Sequence, residues 1–213
     1  MTAQPPDPQP PAPQPRRILI TGASSGIGFE AARLLLRGGH ALTLPCRDEA
    51  TAAAMVERLT ASRSSDNPFP TIHAPVCDLA DLASVESCAA SLLAGATPID
   101  TLVLNAGLQE AGAPEPRRSA QGHELTIAVN HLAHQALCQR LLPLLDAGSS
   151  PRVVVTASEV HDPGTAGGRV GLPAGLANLE GLRGGAGFLM VDGKSAFNAE
   201  KAYKDSKLCN LLF

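Results

Sequence analysis

The only tyrosine of the chain stands four residues before a lysine, in the stretch EKAYKDSKLCNLLF near the end of the sequence. Tyr203 and Lys207 are spaced i, i+4, so a helix would place both side chains on one face. An ammonium group beside a phenol favours the phenolate and lowers a phenol pKa that is ordinarily about 10. Such a tyrosine can transfer a proton while a nicotinamide transfers a hydride. Taken alone, however, the spacing is more often that of an exposed surface pair.

Two further polar residues fit the same chemistry. Ser158 ends the predicted strand RVVVTAS, where its hydroxyl would bond the reacting oxygen of a carbonyl or alcohol. Asn130 lies among apolar neighbours in a predicted helix over 123–145. We expect it to kink that helix or to hold a water of a proton relay.

A glycine-rich turn, TGASSGIG, follows the predicted strand RRILIT and opens the helix FEAARLLLRGG. Gly22 would allow the tight turn, Gly26 would let backbone amides approach a pyrophosphate, and Gly28 would let the helix pack on the strand. The alternative is a turn with a purely structural role. The strand and helix on its two sides favour a dinucleotide site.

The end of the second predicted strand, LPCRD, bears on the choice of dinucleotide. Enzymes that prefer NAD usually have a carboxylate there for the ribose hydroxyl, and this chain has Cys46 followed by Arg47. A guanidinium group can hold a 2′-phosphate, so NADPH is favoured over NADH. We expect Asp48 to cap the next helix. The alternative for Arg47 is a solvated surface charge.

Strand and helix patterns alternate along the chain up to Ser158, which predicts an α/β fold with a Rossmann-like, doubly wound parallel sheet. We expect residues 1–15 to form a disordered proline-rich tail and residues 16–213 to form one NADP-binding domain. The stretch 159–199 has no periodic pattern and is predicted to be a functional loop.

Composition excludes several classes of partner. The formal net charge is −3 with both signs interspersed, which argues against nucleic acid. No apolar run reaches the length of a membrane span, and five scattered cysteines without CxxC spacing predict neither a metal site nor a disulfide framework. The start of the chain has no clear targeting signal. The expected partner is a small molecule.

The G-x-x-x-G-x-G spacing of the turn resembles the short-chain dehydrogenase/reductase family. The order of Asn130, Ser158, Tyr203 and Lys207 is similar to that of the family's catalytic tetrad, which favours a catalytic over a surface role. The resemblance also implies cofactor contacts after the third and fourth strands. The residues expected at the dinucleotide are Gly22, Ser24, Ser25, Gly26, Ile27, Gly28, Arg47, Asp78, Leu79, Asn105, Ala106, Gly107, Tyr203 and Lys207.

Within that family the chain resembles the light-dependent protochlorophyllide oxidoreductases, through NLEGL, VDGK, KAYKDSKLCN, EPRRSAQGHEL and VNHLAH. The resemblance implies NADPH-dependent, light-driven reduction of the C17–C18 double bond of a porphyrin, with Tyr203 as proton donor and a plastid location. The 159–199 loop would help to cover that flat substrate. Cys209 matches the group's motif, but it falls off the Tyr/Lys face, so packing is its expected role.

Other interpretations remain open. The group reads N-A-A where this chain has Asn105 to Gly107, and threonine where it has Ser158, and both differences favour a light-independent carbonyl or alcohol dehydrogenase in the cytoplasm. A third candidate is an NADP-binding module without turnover. The resemblance also implies a possible homo-oligomer. Because the family continues beyond the tyrosine helix, we expect the chain to be a fragment that lacks the last strands and the lid, and to be poorly soluble or weakly active.

Overall fold

Five parallel strands form one sheet in the computed structural model, which describes residues 14–61 and 71–213. The order across the sheet is β3-β2-β1-β4-β5. The α/β, Rossmann-like, doubly wound parallel sheet predicted from the sequence is confirmed. Of the predicted tail, residues 1–13 lie outside the described residues. The strands are β1 Arg17–Ile20, β2 Ala41–Thr43, β3 Ile72–His73, β4 Thr101–Leu104 and β5 Arg152–Val155.

Helices cover both faces of the sheet, because alternate residues of a buried strand point to opposite sides. In β1, Ile18 and Ile20 belong to the core with α1 and α2, whereas Leu19 belongs to the core with α3 and α5. The larger helices are α1 Gly26–Arg37, α2 Glu49–Ala61, α3 Leu82–Ala94, α5 Ala133–Asp146 and α7 Ala199–Cys209. The two shorter ones are α4 Leu125–Ile127 and α6 Glu180–Arg183.

The helix predicted over 123–145 is divided by a π-helical turn. Glu124 caps α4, because its carboxylate accepts hydrogen bonds from the first free amides at 2.8 and 2.9 Å. The π-helical turn Ala128–Leu132 follows and contains Asn130, after which α5 continues the helix. Turns of this kind are a common cause of kinks, and this one contains the residue for which a kink or a relay water was predicted. The helix was predicted to begin at residue 123 but begins at Leu125, because the buried carboxylate of Glu124 caps its first turn there.

The stretch after Ser158 is more structured than its sequence pattern suggested. It contains the 3₁₀ turn Glu159–His161 and α6, and it packs on α7 through a small apolar cluster around Ile127, Val191 and Cys209. Cys209 is 5% exposed, so its predicted packing role is confirmed. All five cysteines are free and buried.

The described ranges contain neither a membrane-spanning helix nor a metal-binding cluster. None of the helices in them has the length and apolar character that a membrane crossing requires. Within the same ranges, no three His, Cys, Asp or Glu side chains are grouped so as to hold a metal ion.

Candidate active site and dinucleotide site

The turn after β1 packs directly against the end of β4. Gly22 has φ +71°, and a Cβ there would lie 2.7 Å from the Cα of Ala106. A Cβ at Gly28 would lie 2.3 Å from the carbonyl oxygen of Gly22. Larger residues at both positions would push the turn away from the strand end. Both glycines are therefore required by close packing, as the sequence spacing predicted.

The amino end of α1 opens away from the rest of the chain. Gly26 has φ +56°, and a Cβ there would meet no atom of the described chain within 4 Å apart from its immediate neighbours. Ser25 occupies the cap position in an extended conformation, but its side chain makes no capping hydrogen bond. Ile27 is 80% exposed beside it. Uncapped amides at the positive end of a helix dipole suit a pyrophosphate, so the residues present fit a dinucleotide.

The adjacent strand end is held by one hydroxyl. The Oγ1 of Thr21 accepts hydrogen bonds from the backbone N–H groups of Asn105 and Ala106 at 2.9 and 3.0 Å. Asn105 returns a bond from its side-chain amide to the Thr21 carbonyl oxygen at 3.1 Å. Because the strand order reverses between β1 and β4, this contact lies at the switch point where open parallel sheets bind ligands.

Lys207, Asn130 and Gly107 meet just beyond that strand end. A Cβ at Gly107 would lie 3.5 Å from Lys207 Nζ and 3.3 Å from Asn130 Oδ1. The ammonium group donates to the Thr156 carbonyl oxygen at 3.1 Å, and Lys207 is only 3% exposed. Burial lowers the pKa of this lysine. The site therefore contains an ammonium group that is almost removed from solvent.

Asn130 connects the loop after β4 to α7. Its Oδ1 accepts from the Leu108 backbone N–H at 2.8 Å, and its Nδ2 donates to the Leu108 carbonyl and to Ser206 Oγ, both at 3.0 Å. The Ser206 hydroxyl donates in turn to the Tyr203 carbonyl oxygen at 2.7 Å. The side chain of Asn130 is thus fully used in holding the loop after β4 against α7.

Tyr203 lies on α7 with Lys207, whose Nζ is 5.5 Å from the centre of the phenol ring. The predicted i, i+4 arrangement on one helix face is confirmed. Tyr203 is half-buried. Ser158, also half-buried, follows β5 only two residues after the carbonyl that holds Lys207, and it caps the 3₁₀ turn. The strand end and the helix face that carry the predicted catalytic residues are therefore adjacent.

The remaining predicted contacts lie after β2 and β3, at the same edge of the sheet. Arg47 is exposed, and its Nε lies 3.0 Å from a carboxylate oxygen of Asp48. Asp48 caps α2 through its other oxygen, as expected. Asp78 accepts a bond from the amide two residues on at 2.9 Å, and Leu79 packs partly against the core of α3 and α5.

The family model for short chain dehydrogenase matches residues 16–170, which is most of the chain. The chain belongs to this family. A protein of the same kind of fold from Mycobacterium paratuberculosis, described as uncharacterised, is 29% identical with a TM-score of 0.66, over 92% of this chain and 59% of that one. The Pseudomonas aeruginosa RhlG/NADP active-site complex is 29% identical with a TM-score of 0.58, over 71% and 57%.

Curated relatives of this family member include protochlorophyllide reductases. Protochlorophyllide reductase A of Hordeum vulgare, a chloroplastic protein, is 37% identical over 202 residues, which cover 92% of this chain and 50% of that protein. Protochlorophyllide reductase of Avena sativa is also 37% identical, with 63% of its length covered. The chain spans about half to two thirds of the length of these curated relatives.

The sequence interpretation missed several buried polar residues of the site. Thr21 begins the glycine-rich turn, and its hydroxyl holds this turn to the end of β4 through two hydrogen bonds from backbone amides. His134 follows Asn130 by four residues, a spacing that could have suggested a contact on one helix face. Ser206 lies next to Lys207 in the motif, and no role was predicted for it. Polar residues at 1% exposure or less, as all three are, are seldom recognisable from sequence alone.

Two other lysines of the motif also escaped interpretation. The ammonium group of Lys204 donates to three backbone carbonyl oxygens at 2.9, 2.5 and 3.0 Å, those of Gly168, Val170 and Leu172. Lys201 donates to a carbonyl at 3.0 Å and to Asp205 at 2.6 Å. Both lysines hold the segment between β5 and α7 rather than contacting solvent.

Proposed function

We propose that the chain is the dinucleotide-binding and catalytic part of an NADPH-dependent oxidoreductase whose acceptor is protochlorophyllide. The observation that carries this proposal is the buried ammonium of Lys207, which lies beside Tyr203 and against the strand end that borders the glycine-rich turn. Reduced nicotinamide, when bound, supplies a hydride. The residues of the chain have to bind the dinucleotide, align the acceptor and supply a proton.

Binding falls to the amino end of α1 and to the strand ends around it. The open amides near Ser25 and Gly26 suit the pyrophosphate, and Arg47 suits the 2′-phosphate. Arg58 supports the turn, since it donates to the Ser24 carbonyl oxygen at 3.0 Å and its guanidinium lies 4.1 Å from the Phe29 ring centre. The proposed cofactor contacts are Gly22, Ser24, Ser25, Gly26, Ile27, Gly28, Arg47, Asp78, Leu79, Asn105, Ala106, Gly107, Tyr203 and Lys207.

Proton delivery falls to α7. In the proposed reaction one carbon of the C17–C18 double bond receives the hydride, and the other receives the hydroxyl proton of Tyr203. The neighbouring Lys207 ammonium stabilises the phenolate that remains. Asn130 holds α7 at the strand end. The pigment absorbs the light, so the protein contributes alignment more than bond-breaking chemistry.

Two observations support the pigment as acceptor: the similarity to curated protochlorophyllide reductases and the segment between Ser158 and α7. Curated protochlorophyllide reductases match 92% of the chain, and the motif KAYKDSKLCN lies on α7 at the site. The segment between Ser158 and α7 is anchored by Lys201 and Lys204 and could form one wall for a large flat acceptor. We extend the proposal to a plastid location, on the same relatives.

The experiment is a light-driven turnover assay. Protein, NADPH and protochlorophyllide are mixed in darkness and illuminated, and the red shift of the chlorin product is followed. We expect turnover at least about a hundredfold slower in Tyr203→Phe than in the wild type, with NADPH still bound. A full-length protein that binds NADPH but leaves the pigment unchanged would remove the pigment from the proposal.

Light-independent reduction of a carbonyl compound is the second candidate, and two residues favour it. Ser158 has a hydroxyl at the strand end beside α7, where it could bond a carbonyl oxygen, and Gly107 leaves room beside Lys207. Consumption of NADPH in darkness with simple ketones or aldehydes would support it.

Equal NADPH binding by the wild type and Tyr203→Phe, with turnover in neither, would instead favour a third candidate, a binding module without catalysis.

The choice of cofactor can be tested at one arginine. We expect Arg47→Leu to raise the NADPH dissociation constant about tenfold, because a charged hydrogen bond to the 2′-phosphate is lost, and to leave that for NADH unchanged. Arg140→Leu is the matched control, since Arg140 is an exposed arginine that also pairs with a carboxylate. Titration calorimetry with both nucleotides measures the difference. An equal loss for NADPH and NADH would contradict a phosphate contact.

A further inference from the structure

A histidine without a part in the proposed chemistry lies between the dinucleotide turn and the catalytic helix. His134, on α5, is completely buried. Its Nε2 lies 2.9 Å from the Thr21 hydroxyl oxygen, and its Nδ1 lies 3.0 Å from the Asn130 carbonyl oxygen. Both ring nitrogens therefore have a hydrogen-bond partner.

The partners determine which nitrogen carries the hydrogen. A carbonyl oxygen can only accept, so Nδ1 of His134 has to donate to Asn130. The Thr21 hydroxyl already accepts from the backbone N–H groups of Asn105 and Ala106, which fill its two lone pairs. Its own hydrogen has two acceptors in reach, Nε2 at 2.9 Å and the Val103 carbonyl oxygen at 3.5 Å, and the shorter contact directs it to Nε2. Both ends of the ring thus require the neutral Nδ1–H tautomer.

A second proton on this ring would break the arrangement. An N–H at Nε2 would face a Thr21 oxygen without a free lone pair, so one of the two amide bonds to the strand end would be lost. Burial is the main cause that lowers the pKa of His134, to about 4. The Asn130 carbonyl opposes that effect, and the positive charges of Lys207 and His131 add to it. The ring is neutral at physiological pH.

The histidine completes a buried chain of hydrogen bonds. From the end of β4 the chain runs through Thr21 to His134, and from there to the backbone of Asn130. The side chain of Asn130 continues it to Ser206, whose hydroxyl bonds the Tyr203 carbonyl. A second route between the two turns runs through the loop after β4, but His134 is the side chain that joins the glycine-rich turn directly to the π-helical turn.

We propose that His134 is a positioning residue that, as the Nδ1–H tautomer, sets the dinucleotide-binding turn relative to the helix that carries Tyr203. Its kinetic consequence rests on the proposed function, whereas the tautomer and the effect on nucleotide binding do not. It touches neither the nucleotide nor the acceptor, and it acts through Thr21 and Asn130.

Three single variants and one double variant of the full chain test this. His134→Phe keeps the ring volume but removes both hydrogen bonds, and Thr21→Val removes the hydroxyl at equal size. We expect His134→Phe to weaken NADPH binding about tenfold and Thr21→Val to weaken it more, because Thr21→Val also removes the acceptor of two backbone amides. The double variant should be no weaker than Thr21→Val alone, because the histidine link is already broken there. His134→Gln offers an oxygen to the Thr21 hydroxyl, so it should recover most of the affinity.

Long-range ¹H–¹⁵N correlation of the wild type at neutral pH gives a direct readout of the tautomer. We expect the Nδ1–H form of His134, and the Nε2–H form or an imidazolium would overturn the inference. Additive losses in the double variant, or NADPH affinity unchanged in His134→Phe, would also overturn it. A correct tautomer with coupled losses but no acceptor turnover would uphold the inference while the proposed function fails.

Discussion

Lys204 and Lys207 lie three residues apart on α7, and both ammonium groups are buried, yet their surroundings differ. All three hydrogens of Lys204 are directed at backbone carbonyls. Among the described residues, Lys207 has one hydrogen bond, to the Thr156 carbonyl, so two of its hydrogens remain for a ligand or for Tyr203. An ammonium with unused donors at the end of β4 is what the proposed chemistry needs.

The buried histidine, His134, makes the stability of the protein depend on pH. The folded-state pKa of His134 is about 4, below the ordinary value of 6.5, so the unfolded chain binds more protons between these two values. The contribution of this histidine is complete above pH 6.5 and is lost as the pH falls toward 4, by about 3 kcal/mol in all.

We therefore expect the free energy of unfolding to fall less steeply in His134→Phe than in the wild type between pH 6.5 and 4. Urea unfolding at a series of pH values measures both slopes. The other titrating groups are common to both proteins, so the difference isolates the histidine. Parallel curves would show that this ring does not titrate as described.

At the scale of elements, α7 serves two sides of the molecule. One side carries Tyr203, Ser206 and Lys207 toward the strand ends, and the other carries Lys201 and Lys204 toward the preceding segment. Because neighbouring positions on a helix differ by about 100° in direction, one short motif can place side chains on both sides of the helix. The segment before α7 is thereby held by the same helix that carries Tyr203, the proposed proton donor.

We expect Lys204→Met to loosen that segment, at a local cost of about 2 kcal/mol, because three carbonyl oxygens lose a charged donor. Arg169 is exposed and lies between two of those carbonyls, so tryptic cleavage after it reports the loosening. Lys194→Met is the matched control, because Lys194 is an exposed lysine of the same segment. NADPH affinity should stay the same in both. Equal cleavage rates in the two variants would contradict the anchoring role.

At the scale of the whole molecule, the sheet has an uncovered edge. Among the residues that the structure describes, β5 pairs only with β4, and Val153 and Val154, which point to opposite faces, are 42% and 46% exposed. Leu211 and Leu212, just after α7, are 52% and 71% exposed. An unpaired strand with exposed apolar side chains is a site for association with another chain.

The described chain should therefore self-associate through this edge. We expect Val154→Lys to reduce concentration-dependent association, because a charge on an edge strand opposes edge-to-edge pairing. Light scattering over a range of concentrations measures it. Val170→Lys, at an exposed position away from the sheet, controls for the added charge and should change little. An equal reduction in both variants would point to net charge rather than to the edge.

Much of the fold and part of the site could be predicted from the sequence. The alternation of strands and helices predicts the parallel sheet, because hydrophobic periodicity is a local property. The positions of Gly22 and Gly28 follow from local spacing, and so does the shared helix face of Tyr203 and Lys207. Buried contacts between distant parts of the chain could not be predicted, since composition and spacing do not tell a buried lysine or histidine from an exposed one.

By itself the sequence determined the order of elements, the glycine-rich turn and the i, i+4 pair, because each depends on residues within one or two turns of chain. Only the tertiary structure decided that Thr21, His134 and Asn130 form one buried chain of hydrogen bonds, and that Lys204 anchors a loop. Those contacts join residues up to 113 positions apart. The packing of the sheet and helices, and not their local patterns, brings such residues together.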